Sequence, residues 1–423
     1  MANLAFNKLK KIDVIWLTQI PEYWEIVKVR HLFKESTKKG FPHETLLVAS
    51  QEHGVVSKDT YGKRTVEATK DLHNLKLVEQ GDFVISLRSF QGGIELAHQR
   101  GIISPAYTVL KETKSIDKRY FKNLFKSPPF ISLMTLCVKG IREGQNIDYP
   151  TFKNEFLPFP PIEEQKAIAE YLDKKNNEID RFIRNKERLI ALLEEQKKEI
   201  INLAVTQGIN PKATMIDVGL EWLKKIPEHW EVKKWKYVIS IRNGQVDPKR
   251  YPEKILLAPN HIESGTGKIQ YKETVSQQSA ESGKYVVKKN DIVYSKIRPE
   301  LNKVCIAEED GLCSADMYAI HSRNRFNQEF LMYLFLSKSF NKAMVERSMR
   351  VAMPKVNRED IKNYESAFPC ENEQLQIVEH IKHETNTLNL VISKAQQEIA
   401  SIKEYREALI TDLVTGKRSL PLS

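Results

Sequence analysis

Two long stretches of the chain repeat apolar residues at heptad spacing. The first runs from Glu163 to Thr206 without proline or glycine, and as a helix it would extend for about 65 Å. The second follows at an offset of 209 positions. Apolar residues at this spacing are typical of a coiled-coil seam. The predicted seam consists of Leu172, Ile179, Leu193 and Ile200, and of Ile381, Leu388, Ala395, Ile402 and Leu409.

The two predicted helices share one heptad register, which favours their pairing with each other. Each stripe is too long for a domain of about 150 residues to cover. We predict an antiparallel coiled coil, although a parallel pair and two separately packed helices stay open at this point. The companion positions assigned to the seam are Ile168, Phe182, Leu189 and Leu203, and Ile377 and Val391.

The segments between the helices alternate short apolar runs with glycine-rich turns, which indicates short strands. Each segment then ends in a short apolar helix. The predicted fold class is α/β (α+β), with two similar mixed domains and a pseudo-two-fold internal repeat. The predicted boundaries are 1–161, 162–208, 209–370, 371–416 and a tail, 417–423. The expected strands are Thr45–Val48, Phe83–Leu87, Ile94–Ala97, Tyr107–Leu110, Ile255–Ala258, Tyr285–Val287, Ile292–Ser295 and Val304–Ala307.

Two sets of residues repeat between the halves of the chain. At an offset of 206, Trp16-Leu17, Ile20-Pro21-Glu22, Trp24-Glu25 and Lys28 return as Trp222-Leu223, Ile226-Pro227-Glu228, Trp230-Glu231 and Lys234. At an offset of 209, Phe159-Pro160, Glu164-Gln165 and Ile168 return as Phe368-Pro369, Glu373-Gln374 and Ile377. The halves share their ends and diverge between them, which indicates one scaffold that presents two different reading surfaces.

Composition adds a preference for polyanionic partners. The net charge is +11 and the pI is near 9.1, and a basic surface attracts nucleic acid. The four cysteines form no CxxC pair, so we expect buried thiols in a reducing compartment. The chain shows neither a signal peptide nor an apolar run long enough to span a membrane, so the expected location is cytoplasmic.

Motifs that suggest catalysis are better explained as structure. Ser127-Pro128-Pro129-Phe130 is similar to the catalytic loop of amino-methyltransferases, but no glycine-rich cofactor loop accompanies it, so a helix start is expected. Residues 265–268 lack the flanking residues of a nucleotide-binding loop and predict a turn. The histidines, among them His31, His53 and His261, show no metal-ligand spacing.

The repeated motifs resemble those of the specificity subunit of type I restriction-modification systems. The similar segments are Ile226-Pro227-Glu228-His229-Trp230-Glu231-Val232, Pro160-Pro161-Ile162-Glu163-Glu164-Gln165, Gln80-Gly81-Asp82-Phe83-Val84 and Lys289-Asn290-Asp291-Ile292-Val293. Cys370-Glu371-Asn372 departs from the family pattern and blurs one boundary.

The resemblance implies a non-catalytic DNA-recognition subunit. Two target-recognition domains would each read half of a bipartite, asymmetric site on double-stranded DNA, while the helices set the spacing and dock two methyltransferase (M) subunits. Restriction/motor (R) subunits would complete the complex. S-adenosylmethionine, ATP and Mg²⁺ would be used by the partner subunits, with no cofactor on this chain. An autonomous methyltransferase or nuclease, and a duplicated protein scaffold, are the alternatives.

Candidate DNA contacts come from turn-rich basic segments. Arg88 can grip guanine, Gln91 can grip adenine, and the glycines that follow would permit close approach. Arg298, Asn302 and Lys303 occupy the corresponding place in the second half. The remaining candidates, as phosphate contacts, are Lys38, Lys39, Lys63, Arg64, Arg242, Lys249, Arg250, Arg350 and Lys355.

Overall fold

The computed structural model describes residues 8–61, 71–139, 146–323, 326–349 and 354–421. The chain divides into two compact units. Unit 1 comprises Met1–Asn185 and Gln397–Ser423, and unit 2 comprises Lys186–Gln396. Each unit therefore combines one α/β domain with one part of each long helix, so the division does not follow the linear order of the predicted segments.

Unit 1 is built from short strands and short helices that lead into the first long helix. Its strands are β1 (Leu9–Lys11), β2 (Gln19–Pro21), β3 (Glu25–Lys28), β4 (Phe33–Ser36), β5 (Leu47–Ser50), β6 (Gly54–Ser57), β7 (Lys76–Val78), β8 (Phe83–Ile85), β9 (Glu95–Leu96), β10 (Gly101–Ile103), β11 (Thr108–Glu112), β12 (Val138–Lys139), β13 (Asn146–Ile147) and β14 (Phe156–Phe159). Its helices are α1 (Val29–Leu32), α2 (Lys58–Tyr61), α3 (Ser89–Gly92), α4 (Lys118–Lys126), α5 (Pro128–Leu136), α6 (Tyr149–Phe152) and the first part of α7 (Ile162–Gln207).

The main sheet of unit 1 has the strand order β4-β11-β8-β9, and all its pairs are antiparallel. Helices α4 and α5 supply aromatic side chains to the core beside this sheet. Phe83 of β8 meets Phe125 of α4 edge to face, with ring centroids 5.0 Å apart, and Phe33 packs against both rings. All three rings are buried. This packing fixes β8 in the core just before the loop that follows it.

Unit 2 repeats this plan. Its strands are β15 (Met215–Leu220), β16 (Leu223–Pro227), β17 (Glu231–Lys234), β18 (Ile239–Ile241), β19 (Gln245–Val246), β20 (Leu256–Leu257), β21 (Lys284–Val287), β22 (Ile292–Ser295), β23 (Val304–Ile306), β24 (Gly311–Cys313), β25 (Met317–Ser322) and β26 (Glu365–Phe368). Its helices are α8 (Gln328–Leu336), α9 (Lys338–Ser348), α10 (Arg358–Lys362) and the first part of α11 (Glu371–Val414), together with the end of α7.

The main sheet of unit 2, β18-β25-β22-β23, matches that of unit 1 strand for strand. Unit 2 also has a second four-stranded sheet, β19-β21-β24-β20, in which β20 and β24 run parallel. In the described part of unit 1 the corresponding strands form two-stranded pieces instead, β5-β6 and β7-β10. The two domains thus share a central sheet and differ beside it.

The long helices pair with opposite directions. Within unit 1, Ile168 near the start of α7 shares a core with Leu413 near the end of α11. Further along α7, Asp180 accepts a hydrogen bond of 2.6 Å from Arg406, which lies earlier in α11. Within unit 2, the end of α7 shares a core with the start of α11. The predicted antiparallel pairing is confirmed, and parallel pairing is excluded.

Burial along the helices supports the predicted main seam and corrects the predicted companion positions of the heptads. Leu172, Ile179, Ile381, Ala395 and Leu409 are buried, and Leu193, Ile200, Leu388 and Ile402 are partly buried. The companion assignment is wrong by one residue for Phe182, Leu189, Leu203 and Val391, which are 37–43% exposed. Their following neighbours, Ile183, Ile190, Ala204 and Ile392, lie inward. Both residues of each pair are apolar, so the pattern alone did not separate them.

The repeated sequence motifs meet each other in space. In unit 1, the Trp24 indole donates to the Glu164 carboxylate at 3.0 Å, and Gln165 accepts from the backbone N–H of Asp117 at 2.9 Å. In unit 2, Trp230 and Glu373 form the equivalent bond at 3.1 Å, and Gln374 accepts from the Asn327 backbone at 2.8 Å. These contacts clasp the start of each long helix to its domain, which explains why the two motifs recur together.

Several smaller expectations are settled by the same structure. The eight expected strands coincide, within a few residues, with β5, β8, β9, β11, β20, β21, β22 and β23. Ser127 stands at the start of α5, with Ser337 at the start of α9 in the equivalent place, so the helix-start interpretation is confirmed. The cysteines are free, but Cys370 is exposed, so the expectation of four buried thiols is wrong there. No helix in the described part of the chain has the length and apolar character to cross a membrane.

Candidate nucleic-acid interface

The loop that follows β8 positions the first predicted contact residues of unit 1. Ser89 accepts a hydrogen bond of 2.9 Å from the backbone of Ser86, which turns the chain directly into α3. Arg88 precedes this short helix and Gln91 lies within it, and both side chains are exposed. The two residues therefore project from a fixed turn and not from an irregular loop.

Arg88 and Gln91 lie on one cavity of about 390 Å³. The cavity also contains polar residues that the sequence analysis missed, because they are distant in the chain and carry no motif. Its lining residues are Ala49, Ser50, Gln51, Glu52, Tyr61, Ser86, Leu87, Arg88, Gln91, Glu95 and Tyr107. We call this the unit 1 cavity.

A buried ion pair lies at the unit 1 cavity. Glu95 is 2% exposed, and its carboxylate accepts from the Lys126 ammonium at 2.5 Å. Lys126 also donates to the Gly92 carbonyl at 2.8 Å. Burial raises the pKa of Glu95, and Lys126 offsets part of that rise. The cavity thus presents the exposed side chains of Arg88 and Gln91, groups that read base edges, beside a buried ion pair.

The glycines after Gln91 make close contacts inside unit 1. Gly93 has φ +81, and a Cβ there would lie 2.0 Å from the carbonyl oxygen of Phe125. A Cβ on Gly92 would lie 2.5 Å from the Gln51 side chain. Packing within unit 1 therefore accounts for Gly93, and close approach of DNA to this turn stays a prediction.

The corresponding loop of unit 2 follows β22. Its residue Arg298 is exposed and has φ +49, and Asn302 has φ +43. Left-handed backbone at an arginine is uncommon and is often found at functional sites. Asn302 differs from the prediction because it is only 7% exposed, with its Oδ1 buried and unpaired among the described residues. Asn302 therefore shapes the loop, while Arg298 faces outward.

Beside this loop, cations converge on two tyrosine rings. The Lys296 ammonium lies 5.4 Å from the Tyr318 ring centroid. The Arg358 guanidinium lies 5.4 Å from the Tyr318 centroid and 5.7 Å from that of Tyr285. Lys355 adjoins them through a β-bridge between its backbone and that of Ile297. We call Lys296, Lys355 and Arg358, with the two rings, the unit 2 cationic cluster.

Lys296 is the nearly buried member of this cluster. It is 8% exposed. Burial lowers the pKa of its ammonium, and the neighbouring charge of Lys355 lowers the pKa further, whereas Asp316 opposes the change. Of the cluster, sequence analysis named only Lys355. Lys296 and Arg358 were missed because Lys296 directly follows the buried strand β22 and Arg358 lies 62 positions further along the chain.

The other candidates fall into three groups. Arg242 bonds the buried Asp291 carboxylate, and Lys303 donates to the Pro259 carbonyl at 2.6 Å, so both already hold structural partners. Exposed cations are Lys38, Lys39, Lys249 and Arg250. The candidates Lys63, Arg64 and Arg350 lie outside the described residues.

Among the described residues, no group of His, Cys, Asp or Glu side chains is arranged to hold a metal ion. His261, for example, is buried and pairs with Glu273 at 3.0 Å. The residues at both sites are therefore suited to hydrogen bonding and charge pairing. Together with the duplicated domains, they define a two-part recognition protein.

Comparison with known proteins assigns this recognition protein to a family. The profile described as "Type I restriction modification DNA specificity domain" matches residues 21–195 and 227–401. The chain belongs to this family, and it is a DNA specificity subunit with two target-recognition domains, the non-catalytic member of a type I restriction-modification system.

Individual relatives agree with this assignment. The specificity subunit of the type I restriction enzyme EcoDI from Escherichia coli is 29% identical over 276 residues, 62% of each chain. The MjaVIII specificity subunit from Methanocaldococcus jannaschii is 25% identical over 98% of this chain and 97% of its own.

Two solved structures share the fold at 15% sequence identity. One, from work on complex assembly and conformational transition of the type I R-M system, has a TM-score of 0.67 and covers 94% of this chain and 99% of its own. The HsdS subunit from Thermoanaerobacter tengcongensis has a TM-score of 0.54, with 94% and 98% covered.

Proposed function

We propose that each domain reads one half of a bipartite, asymmetric sequence in double-stranded DNA. The observation that carries the proposal is a difference at one shared position. The loops after β8 and β22 leave the same strand of the same sheet, yet one opens on the unit 1 cavity and the other on the unit 2 cationic cluster. A scaffold that keeps its sheet and changes the chemistry at one loop suits the reading of two different sequences.

In the unit 1 cavity, the exposed Arg88 and Gln91 supply the polar groups for base reading. An arginine can bond guanine with two donors, and a glutamine can bond adenine. The exposed cations Lys38, Lys39, Lys249 and Arg250 would contact phosphates and set the register. Arg298, exposed on the corresponding loop, is the base-reading candidate of unit 2.

The paired helices would set the gap between the half-sites and bind two methyltransferase subunits. This role is supported by apolar side chains of the helices that the antiparallel seam does not cover. Leu192 is 54% exposed and Leu390 is 73% exposed, so both side chains are available for contact with a partner protein. The partner methyltransferase and restriction/motor subunits would bring S-adenosylmethionine, ATP and Mg²⁺ to the complex.

The decisive experiment exchanges one domain. Residues 8–161 are replaced by the matching segment of a relative with a different known motif, and the chain is expressed with its methyltransferase subunit. Methylome sequencing should then show one half of the motif changed, with the other half and the gap retained. A motif that changes in both halves, or in neither, contradicts the proposal. The purified chain alone should transfer no methyl group from labelled S-adenosylmethionine.

A second experiment addresses the gap. Inserting four residues between Leu189 and Leu193 lengthens α7 by about 6 Å and shifts the seam by about half a heptad. The assembled enzyme should alter its preferred gap or fail to assemble. An unchanged motif with full activity contradicts the role of the helices as a spacer, while leaving the reading domains untouched.

A further inference from the structure

The unit 2 cationic cluster holds its positive charges without acidic partners. Among the described residues, Lys296, Lys355 and Arg358 form no salt bridge, whereas other cations of unit 2 do, such as Lys272 with Glu308 and Lys288 with Asp310. The Lys296 ammonium makes no hydrogen bond to a described residue, and its one described contact is the Tyr318 ring. Keeping a nearly buried lysine protonated beside two further cations is unfavourable unless an anion joins them.

The surrounding backbone holds these side chains in place. The Val356 N–H donates to the Lys296 carbonyl at 2.8 Å, and the Lys296 N–H donates to the Asp316 carbonyl at 3.0 Å. Arg358 donates to the Arg242 carbonyl at 3.0 Å and to the Asn243 side chain. Backbone bonds therefore fix the chain at Lys296, just after β22, and side-chain bonds fix the Arg358 guanidinium at the start of α10.

The chemistry of the cluster selects a particular kind of anion. Lysine and arginine side chains are donors only, so they match a group whose oxygens are acceptors only, and arginine in particular can bond phosphate with two parallel donors. The major-groove edges of adenine and cytosine present donors, which these charged groups cannot accept. Guanine offers two acceptors but no charge, whereas a phosphate carries the negative charge that a group of cations favours. The guanidinium of Arg358 lies over both tyrosine rings, and these cation–π contacts restrict its orientation.

Resting on the proposed function, we propose that the unit 2 cationic cluster binds one backbone phosphate of the DNA half-site that unit 2 reads. In this role Lys355 and Arg358 contact the phosphate oxygens, while Lys296 supplies charge from beneath. The cluster positions the half-site and carries no base specificity, because phosphate contacts are the same for every sequence. Base reading in unit 2 then falls to the neighbouring exposed Arg298.

The test uses the chain assembled with its methyltransferase subunit and duplex DNA that carries the motif. Lys355→Ala is the main variant, because Lys355 is exposed and its removal leaves no buried group unpaired. Lys225→Ala removes the same charge from an exposed position on β16 and serves as the matched control. Lys355→Ala should weaken binding evenly across sequences and lower the slope of log affinity against log salt by about 0.9. Its methylation motif should be unchanged.

A second measurement locates the phosphate. Single phosphodiesters in the DNA are replaced one at a time by neutral methylphosphonates. Substitution at one position in the half-site of unit 2 should weaken binding by the wild-type complex and should have no further effect on Lys355→Ala.

If no position behaves in this way, or if Lys355→Ala changes a base of the motif, the phosphate site is refuted while the proposed function stands. If Lys355→Ala instead weakens only the binding of the methyltransferase subunit, the cluster is a protein contact. If the wild-type complex binds all DNA sequences equally well, the proposed function itself is refuted.

Discussion

The loops after β8 and β22 begin from the same strand of equivalent sheets and arrive at opposite chemistry. In unit 1 the loop borders a cavity in which a buried carboxylate lies near amide and guanidinium groups. In unit 2 the loop borders three cations and two aromatic rings. The two domains therefore differ in the chemical groups at this one loop. They keep the same central sheet and the same Trp-to-Glu bonds to the long helices.

Sheet register shows how few residues produce the contrast. Val84 pairs with Glu95 in unit 1, and Val293 pairs with Cys305 at the same register position in unit 2. Lys126 ends α4, and Leu336 ends the equivalent helix α8. Thus a buried ion pair in one domain corresponds to a thiol and a leucine in the other. By contrast, the Trp-to-Glu bond that clasps each long helix is retained in both.

The largest expected effect concerns the Glu95–Lys126 pair. Glu95→Ala leaves Lys126 partly buried and unpaired, and should destabilise unit 1 by about 3 kcal/mol. The double variant Glu95→Cys, Lys126→Leu copies unit 2 and should recover most of that loss, because apolar groups can replace a buried ion pair. Hydrogen exchange of β8 and β9 measures the effect, with β22 and β23 as an internal control. A double variant as unstable as the single one would contradict the equivalence.

Next in size are the effects of the two exposed loop arginines. Arg88→Ala and Arg298→Ala should each cost about 1–3 kcal/mol of specific binding and relax one half of the motif, if each bonds a base with two donors. Methylation motifs and salt-dependent binding of the two variants separate this from a phosphate contact, for which binding would weaken evenly. Either variant relaxing both halves would show that the domains do not read separately.

The clasps should differ more modestly. Trp24→Phe and Trp230→Phe each remove one indole donor to a glutamate, but Glu164 is buried whereas Glu373 is partly exposed. The unit 1 variant should therefore lose about 1 kcal/mol more stability, because the more buried carboxylate is less able to recover a bond from water. Local hydrogen exchange at the starts of α7 and α11 provides the comparison. Equal losses would indicate that burial of the carboxylate is unimportant.

The smallest expected effect is a pH dependence confined to unit 1. Burial raises the folded-state pKa of Glu95 above its ordinary value. The folded state therefore binds more protons than the unfolded state in the window between the two values, and this contribution to stability is lost as pH rises through it. Glu95→Gln should remove that dependence, so the stability difference between wild type and variant should change across the window. A constant difference would show that Glu95 titrates normally.

Much of the architecture followed from local pattern. The heptads predicted two paired helices because apolar residues at that spacing form one continuous stripe, and the repeated Trp and Glu-Gln motifs indicated one domain plan used twice. Arg88 and Arg298 were identified as loop residues because glycine, proline and turn-forming neighbours mark those positions in the chain. The resemblance of the same motifs to one family then indicated DNA recognition.

Tertiary structure determined which of several equivalent residues are buried and which distant residues meet, and the local pattern could not distinguish these. Phe182 and Ile183 are both apolar, so only packing showed that Ile183 is buried while Phe182 is exposed. Glu95 reads as an ordinary polar residue, and only the fold brings Lys126 to it. Lys296 and Arg358 meet because separate strands and a helix place them around Tyr318. Periodicity determines which faces of an element are apolar, whereas contacts between residues far apart in the chain depend on how the elements pack, and that information is not carried by any one segment.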